Sequence, residues 1–232
     1  MAIKLGIPSK GRLMSDTLDW FGKRGVRIER TGSDREYAGR VEGADGVDLV
    51  LLAAGEIPRE LEAGRLTLGV TGTDVVREKL ARCYTNFHEV TPLGFGQADL
   101  VLAVPRAWVD VETLGDLDAV AHAWWLKHKT RLRIATKYHR LVRAHLKAAG
   151  VIGYQLVDSQ GATEGTVANL TAEAIADITS TGATLEANHL KVIGGVIHAS
   201  QATLFRSRAA RLSGEDEAHL AAFLHRIGVS AR

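Results

Sequence analysis

Short runs of apolar, often β-branched residues alternate with segments of helical periodicity along most of this 232-residue chain. This alternation is typical of α/β proteins, in which helices cover sheets that are largely parallel. Strands are predicted at residues 3–7, 47–52, 66–70, 100–104, 132–136, 154–157, 174–178 and 202–205. Ligand sites of such folds gather at the carboxyl ends of the strands, so the loops that follow these strands are the first places to search.

Two segments between or after the strands have clear amphipathic helical patterns. Residues 137–149 carry an apolar stripe with a 3.6-residue period, formed by Tyr138, Leu141, Val142 and Leu146. Residues 214–227 repeat the pattern with Leu220, Phe223, Leu224 and Ile227. Each stripe indicates a helix with one face against a core.

A predicted hinge divides the chain into two α/β lobes. Gly94 and Gly96 stand just before a new strand within residues 92–100. We expect residues 1–92 to form lobe I and residues 93–176 to form lobe II, with the chain crossing back so that residues 177–232 rejoin lobe I. Small ligands commonly bind in clefts between lobes, so we expect the active site there.

Composition excludes several classes of protein. The apolar fraction of 46% and the charged fraction of 24% are ordinary for a globular protein. A net charge of +2 lacks the overall excess of a nucleic-acid binder. No run approaches the ~20 apolar residues of a membrane span, and the charged N-terminus does not resemble a signal peptide. The lone Cys83 excludes an internal disulfide, suits a reducing compartment and is interpreted as a small buried side chain. We expect a cytoplasmic protein.

A loop of small hydroxyl residues follows the predicted strand 174–178. It is formed by Thr179, Ser180, Thr181, Gly182, Ala183 and Thr184. Hydroxyls beside the free N–H groups and partial positive charge of a helix start favour a bound anion, so the loop predicts a site for a phosphate monoester. Asp177 at the strand end is placed to meet an attached sugar. The alternative is a turn with an N-cap and a solvated acid.

A second polar loop follows the first predicted strand. Lys10 and Arg12 flank Gly11 there, and together they are candidates to clamp a phosphate or pyrophosphate, with Arg12 making bidentate contacts. The alternative is an ordinary strand–helix turn carrying two solvated cations.

A third loop follows the third predicted strand and contains Thr71, Gly72, Thr73 and Asp74. Thr73 or Asp74 is expected to cap the next helix, at residues 75–80, and this role is compatible with ligand binding. The three loops together make a stronger case for a ligand site than any one alone, since each follows a strand.

Lys137 and Tyr138 follow the fifth predicted strand and form a further candidate for nucleotide binding. Lys137 would neutralise charge and Tyr138 would stack on a base, although Tyr138 also fits the apolar stripe and is the more natural core residue. Common site motifs are otherwise missing: the sequence has no GxxxxGK[ST], HExxH or GxSxG, and one cysteine argues against structural zinc. No protein metal ligands are predicted.

Four blocks of sequence resemble the ATP phosphoribosyltransferase family of histidine biosynthesis. They are IPSKGRL, EIPRELEAGRLTLGVTGTD, LRIATKYHRLVRAHL and EAIADITSTGATLEANHLKVI, in the family's order and spacing. The resemblance extends from Ile3 to about Arg206. It implies two lobes like those of type II periplasmic binding proteins, with the active site in the cleft, and a short form without a C-terminal regulatory domain.

The resemblance implies a reaction in which N1 of the adenine of ATP attacks C1 of phosphoribosyl pyrophosphate and pyrophosphate leaves. It implies that the hydroxyl loop binds the 5-phosphate and that Asp177, with Glu164 as a second candidate, binds ribose hydroxyls. Lys10 and Arg12 would offset phosphate charge, and Mg²⁺ would bridge the pyrophosphate. The residues implied on the ATP side are Lys10, Gly11, Arg12, Glu56, Thr71, Gly72, Asp74, Lys137 and Tyr138.

The resemblance also implies an assembly: a homodimer within a hetero-oligomer that includes a catalytically inactive relative of histidyl-tRNA synthetase. Two alternatives remain at this stage. One is a non-catalytic cytoplasmic phosphate- or nucleotide-binding module of the periplasmic-binding type. The other is a subunit that has kept the catalytic fold and lost the activity.

Two positions depart from the family pattern on the ATP side. Many members carry an arginine three residues before an Asp-Ile-Pro, whereas here Ala53 precedes Glu56 at that spacing. Arg35 or Arg59 would have to replace the missing guanidinium. Thr67 also stands where an aspartate is frequent.

Overall fold

The computed structural model describes residues 3–30, 38–80, 85–159 and 161–229, so Arg35 and Cys83 lie outside the described residues. The strands are β1 (Ile3–Pro8), β2 (Arg27–Arg30), β3 (Ala38–Glu42), β4 (Val47–Leu52), β5 (Leu68–Gly72), β6 (Phe87–Pro92), β7 (Ala98–Pro105), β8 (Leu132–Thr136), β9 (Tyr154–Asp158), β10 (Ala174–Thr179), β11 (Leu190–Ser200) and β12 (Ala202–Ser207). The helices are α1 (Gly11–Gly22), α2 (Ile57–Glu62), α3 (Thr73–Lys79), α4 (Leu114–His128), α5 (His139–Ala148), α6 (Gly165–Ala168), α7 (Ala183–Ala187) and α8 (Gly214–Arg226).

The α/β class is confirmed, and every predicted strand corresponds to an observed one. β4 and β8 have the predicted bounds, whereas β5 begins and ends two residues later than predicted. β2, β3, β6 and β11 were not predicted. Both sheets are mixed rather than largely parallel, because these additional strands and β7 and β12 pair in antiparallel fashion.

The chain divides into two compact units. Unit 1 contains Met1–Gln97 and Gln201–Arg232, and unit 2 is the continuous stretch Ala98–Ser200. The chain therefore returns to unit 1 after Ser200, not at residue 177 as the sequence suggested. The reason is strand pairing: β10, which includes residues 177–179, and β11, which ends at Ser200, both pair with β7 inside unit 2.

Unit 1 is built on a sheet of order β2-β3-β4-β1-β5-β12-β6. Its centre, β4-β1-β5, is parallel, so the carboxyl ends of these three strands lie at one edge. On one face Phe21 of α1 stacks on Phe223 of α8 at 6.0 Å between ring centroids. On another, Phe87 meets Phe205 edge-on at 5.7 Å beside the buried Ile57 of α2. The predicted apolar stripe of α8 is confirmed, since its residues are at most 3% exposed.

Unit 2 is built on a sheet of order β11-β7-β10-β8-β9. Here β10, β8 and β9 are parallel and their carboxyl ends share an edge. The predicted stripe of α5 is confirmed: Val142 and Leu146 are fully buried with Leu117 of α4 in one core cluster. A second cluster joins Leu185 of α7 to Ile175 of β10. Each unit thus has its own core.

No helix in the described ranges has both the length and the apolar character that crossing a bilayer requires.

Candidate functional site

The carboxyl edge of the parallel strands in unit 2 gathers most of the predicted residues for the phosphoribosyl donor. Lys137 follows β8, the loop at residues 159–164 follows β9, and the hydroxyl loop follows β10. The register places Ala176 of β10 beside Thr136 of β8, and Thr136 beside Asp158 of β9. Three loops from neighbouring strand ends therefore converge by topology, as ligand sites of α/β sheets commonly do.

Asp177 and Lys137 form an ion pair at this edge. Lys137 Nζ lies 3.4 Å from Asp177 Oδ1, with 36% and 16% of the side chains exposed. The same Oδ1 accepts a hydrogen bond from the N–H of Ile178 at 2.8 Å. Asp177 Oδ2 accepts no hydrogen bond within the described ranges. The carboxylate is thus held in position by one oxygen while the other is available to a ligand hydroxyl.

The hydroxyl loop is a tight turn organised by its own threonines. Gly182 adopts φ +78°, a left-handed conformation that favours glycine. Its N–H donates to Thr179 Oγ1 at 2.9 Å, and the N–H of Ala183 donates to Thr181 Oγ1 at 3.3 Å. A hydroxyl that accepts such a bond still has its own proton to donate. The exposed Thr184 has no side-chain hydrogen bond in the part of the chain that the structure describes.

The helix expected after this loop is shorter than predicted. α7 comprises only Ala183–Ala187, and the residues from Leu190 onward belong to strand β11 instead. The physical reason is pairing: Leu190 lies beside Pro105 of β7, so the ladder with β7 takes over from the helix. So short a helix adds little dipole, so an anion at this loop would be bound mainly by hydroxyls and local N–H groups.

The loop after β9 supplies buried hydroxyls that the sequence did not single out. Ser159 donates from its hydroxyl to Thr163 Oγ1 at 3.1 Å, and Thr163 is fully buried. The N–H of Ser159 donates to the Thr136 carbonyl at 3.2 Å, which ties this loop to β8. Glu164 follows, half-buried at the start of α6, with no hydrogen bond from its side chain to the helix. In the sequence, the only feature that could have indicated this polar loop is the presence of Ser159 and Thr163 on either side of Gly161.

Tyr138 is a core residue, so its predicted stacking role is wrong. Its side chain is 3% exposed and belongs to the cluster of Val142 and Leu146. Its N–H donates to Thr136 Oγ1 at 2.9 Å. Lys137 Nζ lies 5.3 Å from the Tyr138 ring centroid. Tyr138 therefore helps to position Lys137 and presents no face to a nucleotide.

The carboxyl edge of β4-β1-β5 in unit 1 gathers the loops predicted for ATP. The N–H of Ser9 after β1 donates to Leu52 O at the end of β4, at 2.8 Å. The hydroxyl of Thr71, fully buried in β5, donates to the Ala54 carbonyl at 3.0 Å. Thr71 and Gly72 belong to β5 itself and pair with β12. The Thr71 side chain thus joins two loops and is not exposed to ligand, contrary to its predicted role.

Lys10 and Arg12 are the exposed cations of this edge. Both side chains point into solvent around Gly11, whose φ is +76°. Their charged groups form no ion pair within the described ranges. They are available for an anion, as the sequence predicted.

Glu56 and its neighbours have a structural task in the loop after β4. The carboxylate of Glu56 accepts a hydrogen bond from the N–H of Ala53 at 3.0 Å, which closes a turn. Its carbonyl also accepts from the N–H of Arg59 at 3.1 Å. Many family members carry an arginine at the position of Ala53. Of the two residues suggested to replace it, Arg35 lies outside the described residues and Arg59 is exposed.

Neither Thr73 nor Asp74 caps α3. The N-cap residue is Gly72, which has no side chain to accept a hydrogen bond. Thr73 and Asp74 are the first two residues of the helix itself. Thr73 and Asp74 are 8% and 5% exposed. The carboxylate of Asp74 still favours the positive end of the helix, but its burial leaves little of it for ATP.

Thr67, the second departure from the family pattern, lies at the amino end of β5 and not at this carboxyl edge. It precedes β5 at the amino end, five residues before Gly72, which is about 16 Å at the usual rise of a strand. Its Oγ1 accepts from the N–H of Lys4 at 3.3 Å, and its N–H donates to the Lys4 carbonyl at 3.0 Å. Thr67 therefore joins β5 to β1.

No group of three or more metal-ligating side chains is found among the described residues. A metal ion at either edge would depend largely on oxygens from substrate and water.

Known proteins of similar sequence identify the family of this chain. The sequence pattern of the family described as HisG, ATP phosphoribosyltransferase, matches residues 53–228. An ATP phosphoribosyltransferase of Cereibacter sphaeroides is 63% identical over 230 residues, which is 99% of this chain and 97% of that protein. The chain belongs to the ATP phosphoribosyltransferase family. Membership gives it the family's pentosyltransferase activity, the transfer of phosphoribose to ATP that begins histidine biosynthesis.

Solved structures extend the likeness to the fold. The ATP phosphoribosyl transferase (HisG:HisZ) complex from Thermotoga maritima contains a chain with a TM-score of 0.74 at 22% identity, covering 97% of this chain and 96% of that one. An ABC-transporter choline-binding protein in complex with choline gives a TM-score of 0.57 at 10% identity, covering 98% and 78%. At such identities these structures show the fold alone, and they confirm the expected likeness of ATP phosphoribosyltransferases to type II periplasmic binding proteins.

Proposed function

We propose that phosphoribosyl pyrophosphate binds at the carboxyl edge of β8, β9 and β10, with its 5-phosphate on the hydroxyl loop. The observation that carries the proposal is the Asp177–Lys137 pair beside that loop, with Asp177 Oδ2 available. The hydroxyls of Thr179, Thr181 and Thr184 donate to the phosphate oxygens, since the first two only accept bonds from loop N–H groups and keep their protons to donate.

Asp177 binds ribose hydroxyls in this proposal, and Glu164 is a second carboxylate for them. Positive charge develops on the ribose ring as pyrophosphate departs, so a fixed carboxylate close to the sugar stabilises the transition state more than the ground state. Lys137 orients Asp177 through the 3.4 Å contact. The attacking N1 of adenine carries a lone pair, and so no protein base is required.

Lys10 and Arg12 offset negative charge on ATP or on the leaving pyrophosphate. Both are exposed, and neither has an ion-pair partner in the described ranges, so an anion is their natural counterpart. Arg59 takes the place of the family arginine missing at Ala53, since Glu56 fixes the turn from which α2 and Arg59 begin. The remaining ATP-side residues of this proposal are Gly11, which is exposed, and Gly72, at the carboxyl end of β5.

Mg²⁺ accompanies the pyrophosphate in this proposal. The donor set of the described residues fits an ion held mostly by substrate oxygens and water, because Asp177 is bonded through one oxygen and no carboxylate cluster stands beside it. When bound, the ion neutralises charge on the leaving group.

We further propose that the chain works in the cytoplasm as a homodimer within a hetero-oligomer, whose second component is a regulatory subunit related to histidyl-tRNA synthetase. The resemblance of the sequence to the family supports this assembly. So does the T. maritima structure, which contains HisG together with HisZ.

The test is direct product formation. Purified protein is mixed with ATP, Mg²⁺ and phosphoribosyl pyrophosphate, with and without the synthetase-like subunit, and phosphoribosyl-ATP is measured. We expect product in at least one condition. Ligand binding without product in either would instead support a non-catalytic binding module or an inactive subunit.

The ATP side has its own test. Arg12→Ala should raise the KM for ATP or lower kcat, because a charge-assisted hydrogen bond is worth roughly 10- to 100-fold. Arg106→Ala, which removes an exposed arginine of unit 2 at the opposite edge of its sheet, serves as the matched control. Equal kinetics for the two variants would remove Arg12 from the site.

A further inference from the structure

A basic groove runs along the outer edge of the unit 2 sheet, away from the proposed donor site. It has a volume of about 450 Å³, and its principal lining residues are Arg131, Arg143, Lys147, Ile152, Tyr154 and Leu156. Arg131 precedes β8 and Ile152 precedes β9, so the groove begins at the amino ends of strands whose carboxyl ends carry the hydroxyl loop. Nothing in the chemistry proposed above uses these residues.

The floor of the groove is the open edge of β9. Among the described strands, β9 pairs only with β8. The N–H of Leu132 donates to the Gly153 carbonyl, and the N–H of Ser159 donates to the Thr136 carbonyl. Gly153 and Ser159 thus face β8, and every second residue between them does the same. Tyr154 and Leu156 therefore direct their backbone N–H and C=O groups outward, where a further strand could pair.

The walls of the groove are cationic and apolar. Arg131, Arg143 and Lys147 are exposed, and no carboxylate lines the same cavity. None of the three forms an ion pair within the described ranges. Ile152 is 80% exposed at the entrance and adds an apolar side chain to the wall.

A neighbouring cavity of about 300 Å³ shares Arg131 and Ile152 with the groove and extends it past Trp125, which is 47% exposed. Its one carboxylate, Asp118, already accepts the N–H of Ile152 at 3.0 Å. The extended surface therefore combines an open strand edge, unpaired positive charge and two exposed apolar side chains. These are the components of recognition by strand addition.

We propose that this groove binds an extended acidic segment of the regulatory subunit, which adds as a strand to β9; the inference rests on the hetero-oligomer proposed above. Backbone groups of Tyr154 and Leu156 pair with the segment, and its carboxylates meet Arg143 and Lys147. A second copy of this chain fits poorly, because a symmetric contact would set the same cations against each other.

The experiment measures binding of the full-length chain to the synthetase-like regulatory subunit by titration calorimetry. Arg143→Glu with Lys147→Glu should weaken the Kd by about 100-fold, because attraction becomes repulsion at two positions. Arg106→Glu with Lys127→Glu makes the same change of charge at exposed sites of unit 2 outside the groove, and should bind as wild type does. The wild-type Kd should also rise with salt.

A backbone measurement separates strand addition from simple charge attraction. Amide hydrogen exchange at Tyr154 and Leu156 should slow in the complex and stay fast in the free protein. Unchanged binding by the groove variant, or unchanged exchange at both amides, overturns the groove as the docking surface while leaving the assembly intact. Absence of any complex with wild type overturns the proposed assembly as well, without touching the catalytic proposal.

Discussion

Asp177 illustrates how much of a site depends on a contact between residues distant in sequence. The strand end and its acid were visible in the sequence, but the position of Lys137 only 3.4 Å away follows from β8 and β10 being neighbours. Two opposite charges at this distance at a partly exposed site attract modestly, so the pair is better suited to orientation than to stability.

Asp177→Asn should lower kcat/KM for phosphoribosyl pyrophosphate by roughly 10- to 100-fold, because a hydrogen bond to a charged group is replaced by a weaker neutral one. Steady-state kinetics with varied donor measures this. Asp110→Asn changes an exposed acid at the opposite edge of unit 2 and should leave the kinetics unaltered. Normal donor kinetics in Asp177→Asn would exclude a direct role for this carboxylate.

Thr184→Val keeps the shape of the side chain and removes its hydroxyl. We expect the KM for phosphoribosyl pyrophosphate to rise by about 10-fold, the usual value of one hydrogen bond to a charged phosphate oxygen. Thr130→Val is the matched control, an exposed threonine just before β8 at the opposite strand end. If both variants have the same KM, the hydroxyl of Thr184 does not contact the phosphate.

Single residues also mark where sequence reasoning fails. Tyr138 and Thr71 have side chains that suit either a ligand or an interior, and only packing decides between them: both are buried, and the Thr71 hydroxyl is used to join two loops. The exposure of Lys10 and Arg12 was easier to predict, because long charged side chains without partners remain in solvent.

Among the elements, the central strands were predictable and the peripheral ones were not. β1 and β8 were predictable because most of their residues are apolar and buried, with only Lys4 of β1 exposed and Arg133 of β8 partly buried. β2 reads RIER and β6 reads FHEVTP, patterns too short or too polar to distinguish from loops. β11 contains Gly194 and Gly195 at positive φ, where its register with β7 shifts, and this irregularity interrupts the alternation by which a strand is predicted.

Helix α8 begins with a capping box that makes a testable contribution to stability. The N–H and hydroxyl of Ser213 donate to Asp216 Oδ2 at 3.0 and 2.6 Å, and the N–H of Asp216 donates back to Ser213 Oγ at 3.2 Å. Ser213→Ala should lower the free energy of unfolding by about 1 kcal/mol at pH 7, as loss of an N-cap usually does. Urea denaturation measures this, with Ser15→Ala within α1 as the control.

The same capping box predicts that the free energy of unfolding depends on pH in the acid range. The hydrogen bonds from the hydroxyl and N–H of Ser213 are the largest of the causes that lower the pKa of Asp216 from 3.8 to about 2. Because the folded state holds the proton less tightly, the stabilisation is complete above pH 3.8 and is lost as the pH falls towards 2. Ser213→Ala should therefore lose less stability than wild type between these pH values. Parallel acid profiles of the two proteins would show that Ser213 does not control this titration.

For the whole molecule, the sequence indicated two lobes but misplaced the point of return by about two strands. Gly94 and Gly96 mark the first boundary in the sequence, whereas the return at Gln201 falls in a tight connection between β11 and β12. Nothing local distinguishes that connection from a hairpin. Only the pairing of β11 with β7 and of β12 with β5 assigns the two strands to different units.

This division predicts different behaviour for fragments of the chain. Residues 98–200 contain all the strands of their sheet and two core clusters of their own, so the fragment should fold cooperatively by itself. Residues 1–97 should not, because they lack β12, which joins β5 to β6, and lose Phe223 from its contact with Phe21.

Circular dichroism melting and amide proton dispersion distinguish these outcomes. The fragment 98–200 should show a sigmoidal transition and dispersed amides, and the fragment 1–97 neither. Linking residues 201–232 to the end of the latter through a flexible spacer restores β12 and α8, and should restore folding. A folded 1–97 fragment would mean that the parallel centre β4-β1-β5 and its helices suffice for unit 1. An unfolded 98–200 fragment would mean that its core depends on the rest of the chain.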